Sequence, residues 1–291
     1  MAYEYSFKND IETVLDVKCI NIDSFCFGAN IPKRTIFYAF SHKASKNVLE
    51  AAYSYIYKLG IRLNSVKDEL FNEIKDKNEV ILYHGSKYGI DEITCDGSRE
   101  DCDFGRGFYL SEHLSSSISF VHSHVDSSIY AFKLELKDLK VFRFDCNIDW
   151  MLLISLHRKK IEEYKDNERI KKIIKSIEEA DVLIGPIADN KMFEVMGKFA
   201  CGEITTVEAI HALSASRLGK QYVIRTKKGL NNLKFLDRLY LCSEEKRKSL
   251  YDTKEQELQI QSKLDIAKRT FRGQGQYIDE VLKWKTKIRS V

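Results

Sequence analysis

Several features that would restrict the function are scarce or absent in this chain. It contains only two prolines, Pro32 and Pro186, and no apolar run approaches the ~20 residues that a membrane-spanning helix needs. Its seven cysteines are scattered along the chain, and none forms a Cys-x-x-Cys pair. These absences argue against a membrane protein, a disulfide framework and a zinc ribbon, and they favour a reducing compartment.

The charge balance is equally unspecific. A net charge of +4 is too small to indicate a nucleic-acid partner by itself. With 44% hydrophobic and 31% charged residues, the 291-residue chain resembles an ordinary soluble protein that can bury a sizeable core. Its first residues lack the layout of a signal peptide, so we expect a cytoplasmic protein. The sequence offers no convincing metal site, and we expect no metal cofactor.

The hydrophobic pattern predicts three regions. Apolar residues recur at helical spacing up to about residue 57, for example at Ile11, Val14 and Leu15, which indicates a small all-α domain. A polar run over residues 72–79 separates it from a region of short apolar strands. We therefore predict an all-α domain over 1–76, an α+β domain over 77–238 and a helical extension over 239–291.

Part of the all-α domain resembles a helix-turn-helix of the phage-repressor type. Phe25-Cys26 matches the apolar-plus-small pair of the first helix. Asn30 occupies the turn position usually held by glycine, and Pro32 lies at a favoured helix start. The resemblance implies DNA contact through exposed residues of the second helix, namely Lys33, Arg34, Thr35 and Tyr38. The alternative is a helical bundle for dimerisation or protein contact, with these residues on a solvated face.

Two short segments carry the strongest functional signal. The first is Tyr83-His84-Gly85-Ser86, and the second runs from Asp103 to Ser111. Each includes a predicted strand, and together they supply an imidazole, a hydroxyl and a tyrosine ring beside glycine backbone that a ligand can approach closely. This combination suits a site for a flat, hydrogen-bonding heterocycle and a ribose.

In this order and at this separation, the two segments resemble the first two motifs of ADP-ribosyltransferases of the His-Tyr type. That superfamily includes the poly-ADP-ribose polymerases and diphtheria toxin. The chain is similar to a bacterial branch of it, long catalogued as a domain of unknown function, from about Val80 to about Phe235. The resemblance implies an α+β fold with a split β-sheet, NAD as a substrate without a metal, and cleavage of the bond to nicotinamide.

The resemblance also implies roles for individual residues. His84 would bind a ribose hydroxyl of NAD, Gly85 would present its backbone to the nicotinamide carboxamide, and Ser86 would support the histidine. Tyr109 would stack on the nicotinamide ring. Further NAD-binding positions follow on the second strand and on a helix predicted over 115–121: Phe108, Ser117 and Phe120. The alternative is that His84 and the aromatic residues belong to an ordinary core.

The third motif departs from the family pattern. Relatives carry a glutamate at the start of a later strand, where it binds the nicotinamide-ribose 2′-hydroxyl, but the matching strand here opens on Gln221. Asp189 is a compensating carboxylate for the acceptor or the ribose, or else the cap of the following helix. Arg99 and Arg106 can meet the pyrophosphate, or they are solvated loop residues.

These observations predict a mono-ADP-ribosyltransferase that uses NAD and modifies a macromolecule, either a protein or a nucleic acid. Similar bacterial domains suggest a toxin or defence effector, with an antitoxin-like protein as a further partner. A second hypothesis is a DNA-binding regulator that senses NAD or ADP-ribose without turnover, since Gln221 lacks the charge of glutamate. A third is an interaction scaffold with a vestigial pocket.

Overall fold

The computed structural model describes residues 3–188, 190–214 and 219–282. The described residues form an α+β structure, as the sequence predicted. The chain divides into two compact units, each built from three segments. The first unit comprises 1–92, 112–136 and 233–253, and the second comprises 93–111, 137–232 and 254–291.

The described elements are named in chain order. They are α1 (Phe7–Lys18), α2 (Ile22–Ala29), α3 (Lys33–Ser41), α4 (Lys46–Lys58), α5 (Leu63–Glu73), β1 (Glu79–Ser86), β2 (Phe108–Ser111), α6 (Leu114–Val121), β3 (Ser128–Glu135), β4 (Val141–Arg143), α7 (Ile148–His157), α8 (Glu168–Ile177), β5 (Val182–Pro186), α9 (Asn190–Ala200), α10 (Thr206–Ser214), β6 (Lys220–Ile224), α11 (Lys227–Asn231), β7 (Leu233–Tyr240), α12 (Ser243–Thr270) and α13 (Ile278–Val281). A short 3-10 helix, Glu162–Tyr164, precedes α8. None of these helices is long and apolar enough to cross a membrane.

The first unit combines helices α1–α5 with an antiparallel sheet. Strand β3 lies between β1 and β7 and pairs antiparallel with both. The helices bury many of the apolar residues that recur at helical spacing, and the core includes Phe25, Ile36 and Ile56, whereas Val17 and Phe37 are exposed. The N-terminal region of this unit, from Phe7 to Glu73, contains the five helices α1–α5.

The turn between α2 and α3 has the geometry that its sequence predicted. The Asn21 side chain accepts the Ser24 N–H at 2.8 Å and caps the start of α2. Asn30 ends that helix in the left-handed region, with φ at 54°, which asparagine tolerates better than most residues. Pro32 then immediately precedes α3.

A buried polar cluster links the helices of the first unit to β7. The Lys67 ammonium lies 2.5 Å from an Asp10 carboxylate oxygen and 2.7 Å from one of Asp237. The Tyr53 hydroxyl donates to the other oxygen of Asp10 at 2.5 Å. Burial raises the pKa of Asp10, and the neighbouring ammonium opposes that shift. One cation therefore holds two buried carboxylates together.

The second unit contains a mixed sheet in the order β4-β5-β6-β2. The β4–β5 pair is parallel, whereas β5–β6 and β6–β2 are antiparallel. Helix α7 is almost continuously apolar and buries Trp150, Met151 and Leu152 in the core of this unit, because a helix that is hydrophobic all round must be enclosed on every side. Strand β6 begins one residue before Gln221, so that side chain lies at the start of a strand, as predicted.

Candidate functional site

The residues predicted to bind NAD are distributed over both units. His84, Gly85, Ser86, Ser117 and Phe120 belong to the first, and the remaining described positions of the second and third motifs belong to the second.

In the first unit, the His84 motif ends strand β1. His84 is half-buried and lies opposite Tyr130 of β3 in the strand register. Helix α6 packs against this end of the strand: a Cβ atom at Gly85 would lie 2.6 Å from the Ser117 carbonyl oxygen and 3.0 Å from a Val121 methyl carbon. Glycine is thus required here by the packing of α6 on β1, whether or not a ligand approaches.

Ser117 and Phe120 have different surroundings although both lie on α6. Ser117 is buried, and its hydroxyl donates to the Tyr83 carbonyl oxygen of β1 at 3.0 Å. Phe120 is 67% exposed, with the Lys87 ammonium 5.5 Å from its ring centre. Ser117 therefore fixes the helix to the strand, while Phe120 presents an aromatic face to solvent.

Ser86 stabilises the turn that follows β1. Its hydroxyl donates to the Gly89 carbonyl at 2.6 Å and accepts the Gly89 N–H at 3.1 Å. Gly89 has φ at 102°, a conformation that favours glycine. These contacts hold the chain directly after His84, and a further contact of Ser86 with the histidine stays a prediction.

In the second unit, the residues of the second and third motifs share one face of a strand pair. Strands β2 and β6 are antiparallel, with Tyr109 opposite Val223 and Ser111 opposite Gln221. Alternate residues of a strand point to the same side, and directly opposed residues of paired strands do so too. Tyr109 and Gln221 therefore lie on the same face of the β2–β6 pair, one diagonal step apart.

The Tyr109 hydroxyl anchors the loop that precedes its own strand. It donates to the Gly105 carbonyl oxygen at 2.6 Å and accepts the Phe104 N–H at 3.0 Å. Burial raises the pKa of this phenol, which keeps the hydroxyl protonated as a donor. Gly105 has φ at 75°, and a Cβ there would lie 2.9 Å from a ring carbon of His157. The loop is thus fixed by a tyrosine hydroxyl and a glycine turn.

Gln221 is the centre of a buried polar cluster. Its Nε2 donates to Asp103 Oδ2 at 2.8 Å and to the Pro186 carbonyl oxygen at 3.1 Å. The other oxygen of Asp103 accepts two hydrogen bonds from the Arg158 guanidinium, at 3.1 Å from Nε and 2.7 Å from Nη2. The guanidinium also lies over the Phe193 ring, 4.3 Å from its centre. We call Asp103, Arg158 and Gln221 the amide cluster.

The arginines predicted for the pyrophosphate form ion pairs within their own loop. Arg99 pairs with Asp101 at 3.4 Å, and Arg106 pairs with Glu100 at 2.9 Å. Both arginines are exposed. Because each already pairs with a carboxylate, an anionic ligand would have to displace Asp101 or Glu100. The predicted Asp189 lies outside the described residues. Phe108 is buried on β2.

The α3 residues predicted for DNA contact are mostly exposed. Arg34 and Tyr38 face solvent, and Tyr38 stacks on His42 with ring centres 4.1 Å apart. Lys33 is also exposed but pairs with Asp23 at 2.7 Å, and Thr35 is half-buried. Arg34 and Tyr38 are therefore the residues best placed to meet a partner.

A scan of known families identifies the region that contains these motifs. The matching family model is described as a protein of unknown function (DUF3990), and it covers residues 80–235, more than half of the chain. The chain belongs to the DUF3990 family. No curated protein and no solved structure gives a significant match. The DUF3990 region begins in β1, includes His84, Tyr109 and Gln221, and ends in β7.

Within the DUF3990 region, sequence analysis assigned no role to Asp103 or Arg158. Asp103 opens the second motif, so its position was visible, but its partner Gln221 lies 118 residues further along the chain. Arg158 follows α7 in a basic stretch that resembles a solvated helix end. Glu208 accepts the Thr205 N–H at 2.6 Å and so caps the start of α10.

The described residues contain no cluster of three or more histidine, cysteine, aspartate or glutamate side chains that could hold a metal ion.

Proposed function

We propose that this protein transfers ADP-ribose from NAD to a macromolecular acceptor. The bond between the ribose C1′ and the nicotinamide nitrogen breaks, and nicotinamide leaves. A nucleophile of the acceptor bonds to C1′ and loses its proton. The observation that carries the proposal is the common face of Tyr109 and Gln221 on the β2–β6 pair, which is what two motifs that serve one nucleotide require.

The proposed roles follow the resemblance and are compatible with the local contacts. Because the Tyr109 hydroxyl is bonded to its own loop, the ring is held at a fixed angle and can offer a flat face to nicotinamide. Gln221 would accept a ribose hydroxyl through its amide oxygen. His84 would bind the adenosine ribose. A glutamine carries no charge, so we propose single transfer or NAD hydrolysis, not polymer elongation.

The cellular setting is proposed from the same resemblance. A cytoplasmic toxin or defence effector is the context that similar bacterial domains suggest, and an antitoxin-like protein would then be a natural partner. This proposal needs no metal, since the reaction depends on binding NAD and stabilising positive charge at the ribose.

The test is nicotinamide release from NAD by the purified protein, with and without cell lysate. Tyr109→Phe keeps the aromatic face and loses the hydrogen bonds of the hydroxyl to its loop, so we expect it to retain measurable release. Tyr109→Ala removes the face, and we expect release to fall to background. His84→Ala should likewise lose nicotinamide release, and His113→Ala, which changes an exposed histidine, is its matched control. No release from the wild type under any condition would refute the proposal.

A second candidate is a DNA-binding regulator that senses NAD. The left-handed turn at Asn30 and the exposed side chains of Arg34 and Tyr38 favour it. Such a protein would bind NAD without cleaving it, and it would bind duplex DNA with an affinity that falls as salt rises. Fluorescence anisotropy with labelled DNA separates the candidates, with Arg34→Ala expected to weaken binding. NAD that stays intact together with DNA binding that depends on Arg34 would favour the regulator.

A further inference from the structure

The amide cluster fixes which way Gln221 faces. Both hydrogens of its Nε2 are directed at oxygen acceptors, the Asp103 carboxylate and the Pro186 carbonyl. Rotating the amide by 180° would place Oε1 against those two oxygens, and the lone pairs would repel each other. The nitrogen side of the amide is therefore directed into the cluster, which leaves Oε1 as the group that accepts hydrogen bonds from elsewhere.

Asp103 is itself held rigidly. Its two oxygens serve different partners, since Oδ1 accepts both Arg158 hydrogen bonds and Oδ2 accepts the Gln221 amide. Two hydrogen bonds from one planar guanidinium restrict the orientation of the carboxylate. Asp103 and Gln221 are both buried, at 6% and 7% exposure, so water does not compete effectively for these contacts.

The charge of Asp103 also acts on the amide. A carboxylate that accepts from Nε2 polarises the amide group and makes its oxygen a stronger acceptor, because hydrogen bonds in a chain reinforce one another. A glutamine without such a carboxylate partner has a weaker acceptor oxygen than a glutamate. Arg158 balances the charge of the cluster as a whole, and the carboxylate acts on Gln221 through the hydrogen bond from Nε2 to Oδ2.

We propose that Asp103 is a positioning residue for the transfer reaction: held by Arg158, it fixes and polarises the Gln221 amide so that Oε1 accepts the nicotinamide-ribose hydroxyl. The inference rests on the proposed function, because it assigns the means by which a glutamine serves at the third motif. It also explains how the chain retains an acidic group there without a glutamate at position 221.

The main test compares Asp103→Asn with the wild type in nicotinamide release. An asparagine can rotate its own amide, and it supplies no charge, so the orientation of Gln221 is no longer enforced. We expect kcat to fall about tenfold to a hundredfold, the effect of a small misplacement of a reacting group, while KM for NAD changes less than threefold. Asp145→Asn alters an exposed aspartate of the same unit and should stay within twofold of the wild type.

A reciprocal exchange separates positioning from mere structural support. Gln221→Glu alone places a second carboxylate against Asp103, so the pair must bind a proton, and we expect stability to fall as pH rises. The double variant Asp103→Asn/Gln221→Glu restores an amide-to-carboxylate hydrogen bond with the charge at position 221. Because a glutamate at position 221 has no donor for the Pro186 carbonyl, we expect the double variant to recover part of the stability lost in Gln221→Glu and to release nicotinamide faster than Asp103→Asn.

Each result supports or overturns the inference. A folded Asp103→Asn variant with the kcat of the wild type overturns it, and so does a stable double variant that is no faster than Asp103→Asn. If Asp103→Asn does not fold, Arg158→Lys keeps the charge but loses the two-point contact. A reduced kcat at unchanged KM then supports the inference, and the wild-type kcat overturns it. Absence of release from the wild type refutes the proposed function itself, whereas release that is indifferent to Asp103 refutes only this inference.

Discussion

Substituting Gly85 by alanine tests the packing of α6 on β1. The added Cβ would lie 2.6 Å from the Ser117 carbonyl oxygen and 3.0 Å from a Val121 methyl carbon, whereas nonbonded carbon atoms prefer about 3.5–4.0 Å. One of the two close atoms belongs to the helix backbone, so a side-chain rotation cannot relieve the contact. Helix α6 must therefore move away from the strand by several tenths of an ångström.

The expected loss of stability has two sources. Overpacking of this kind costs about 1–3 kcal/mol. The movement also stretches the hydrogen bond from the Ser117 hydroxyl to the Tyr83 carbonyl, which contributes about 0.5–1.5 kcal/mol. We therefore expect Gly85→Ala to lower the free energy of unfolding by about 2–4 kcal/mol.

Urea denaturation followed by far-UV circular dichroism measures this change. Gly197→Ala is the matched control, because Gly197 lies inside α9 and a Cβ there meets nothing within 4 Å. In that variant the free energy of unfolding should rise by up to about 1 kcal/mol, because alanine has a higher helix propensity than glycine. The packing argument is refuted if Gly85→Ala unfolds within about 0.5 kcal/mol of the wild type. If it holds, lost activity in Gly85→Ala reports a displaced helix and not a missing ligand contact.

Two further predictions concern buried charges of the first unit. Burial raises the pKa of Glu245 to about 7, so its stabilising contribution is present below about pH 4.5 and is lost as pH rises through 7. Glu245 keeps some contact with solvent, which reduces the effect of burial. We therefore expect Glu245→Gln to raise the free energy of unfolding by on the order of 2 kcal/mol at pH 8 and by little at pH 4.5. Thermal unfolding at both pH values measures this gain. If the exposed Glu255→Gln shifted the melting temperature equally, the raised pKa of Glu245 would be contradicted. Lys67→Met leaves two buried carboxylates without their cation and should cost about 3–5 kcal/mol at pH 7. That deficit, measured by urea denaturation, should shrink toward pH 4 as the Asp10 carboxyl, whose pKa burial raises, binds a proton; a deficit independent of pH would contradict it.

Local sequence signals predicted most of the secondary structure that carries the motifs. The helix expected over 115–121 is α6, and the strand expected to open on Gln221 is β6, with each boundary within one residue. The turn at Asn30 was also predictable, because it depends on residues only a few positions apart.

Contacts over long sequence separations were not predictable in the same way. The amide cluster joins three segments that are far apart in the chain, and neither Asp103 nor Arg158 carries a local signal that names Gln221 as its partner. The buried Lys67 was likewise indistinguishable from a solvated helix residue, because its two carboxylates come from α1 and β7.

The sequence by itself determined the helix over 115–121 and the strand that opens on Gln221, and it placed the His84, Tyr109 and Gln221 motifs on three strands, because periodicity acts over a few residues. Only the tertiary structure decided that Gly85 is needed for the packing of α6 and that Gln221 is bound to a carboxylate. Those facts depend on which distant backbone and side-chain atoms the fold brings within contact distance, and burial then determines the strength of each interaction.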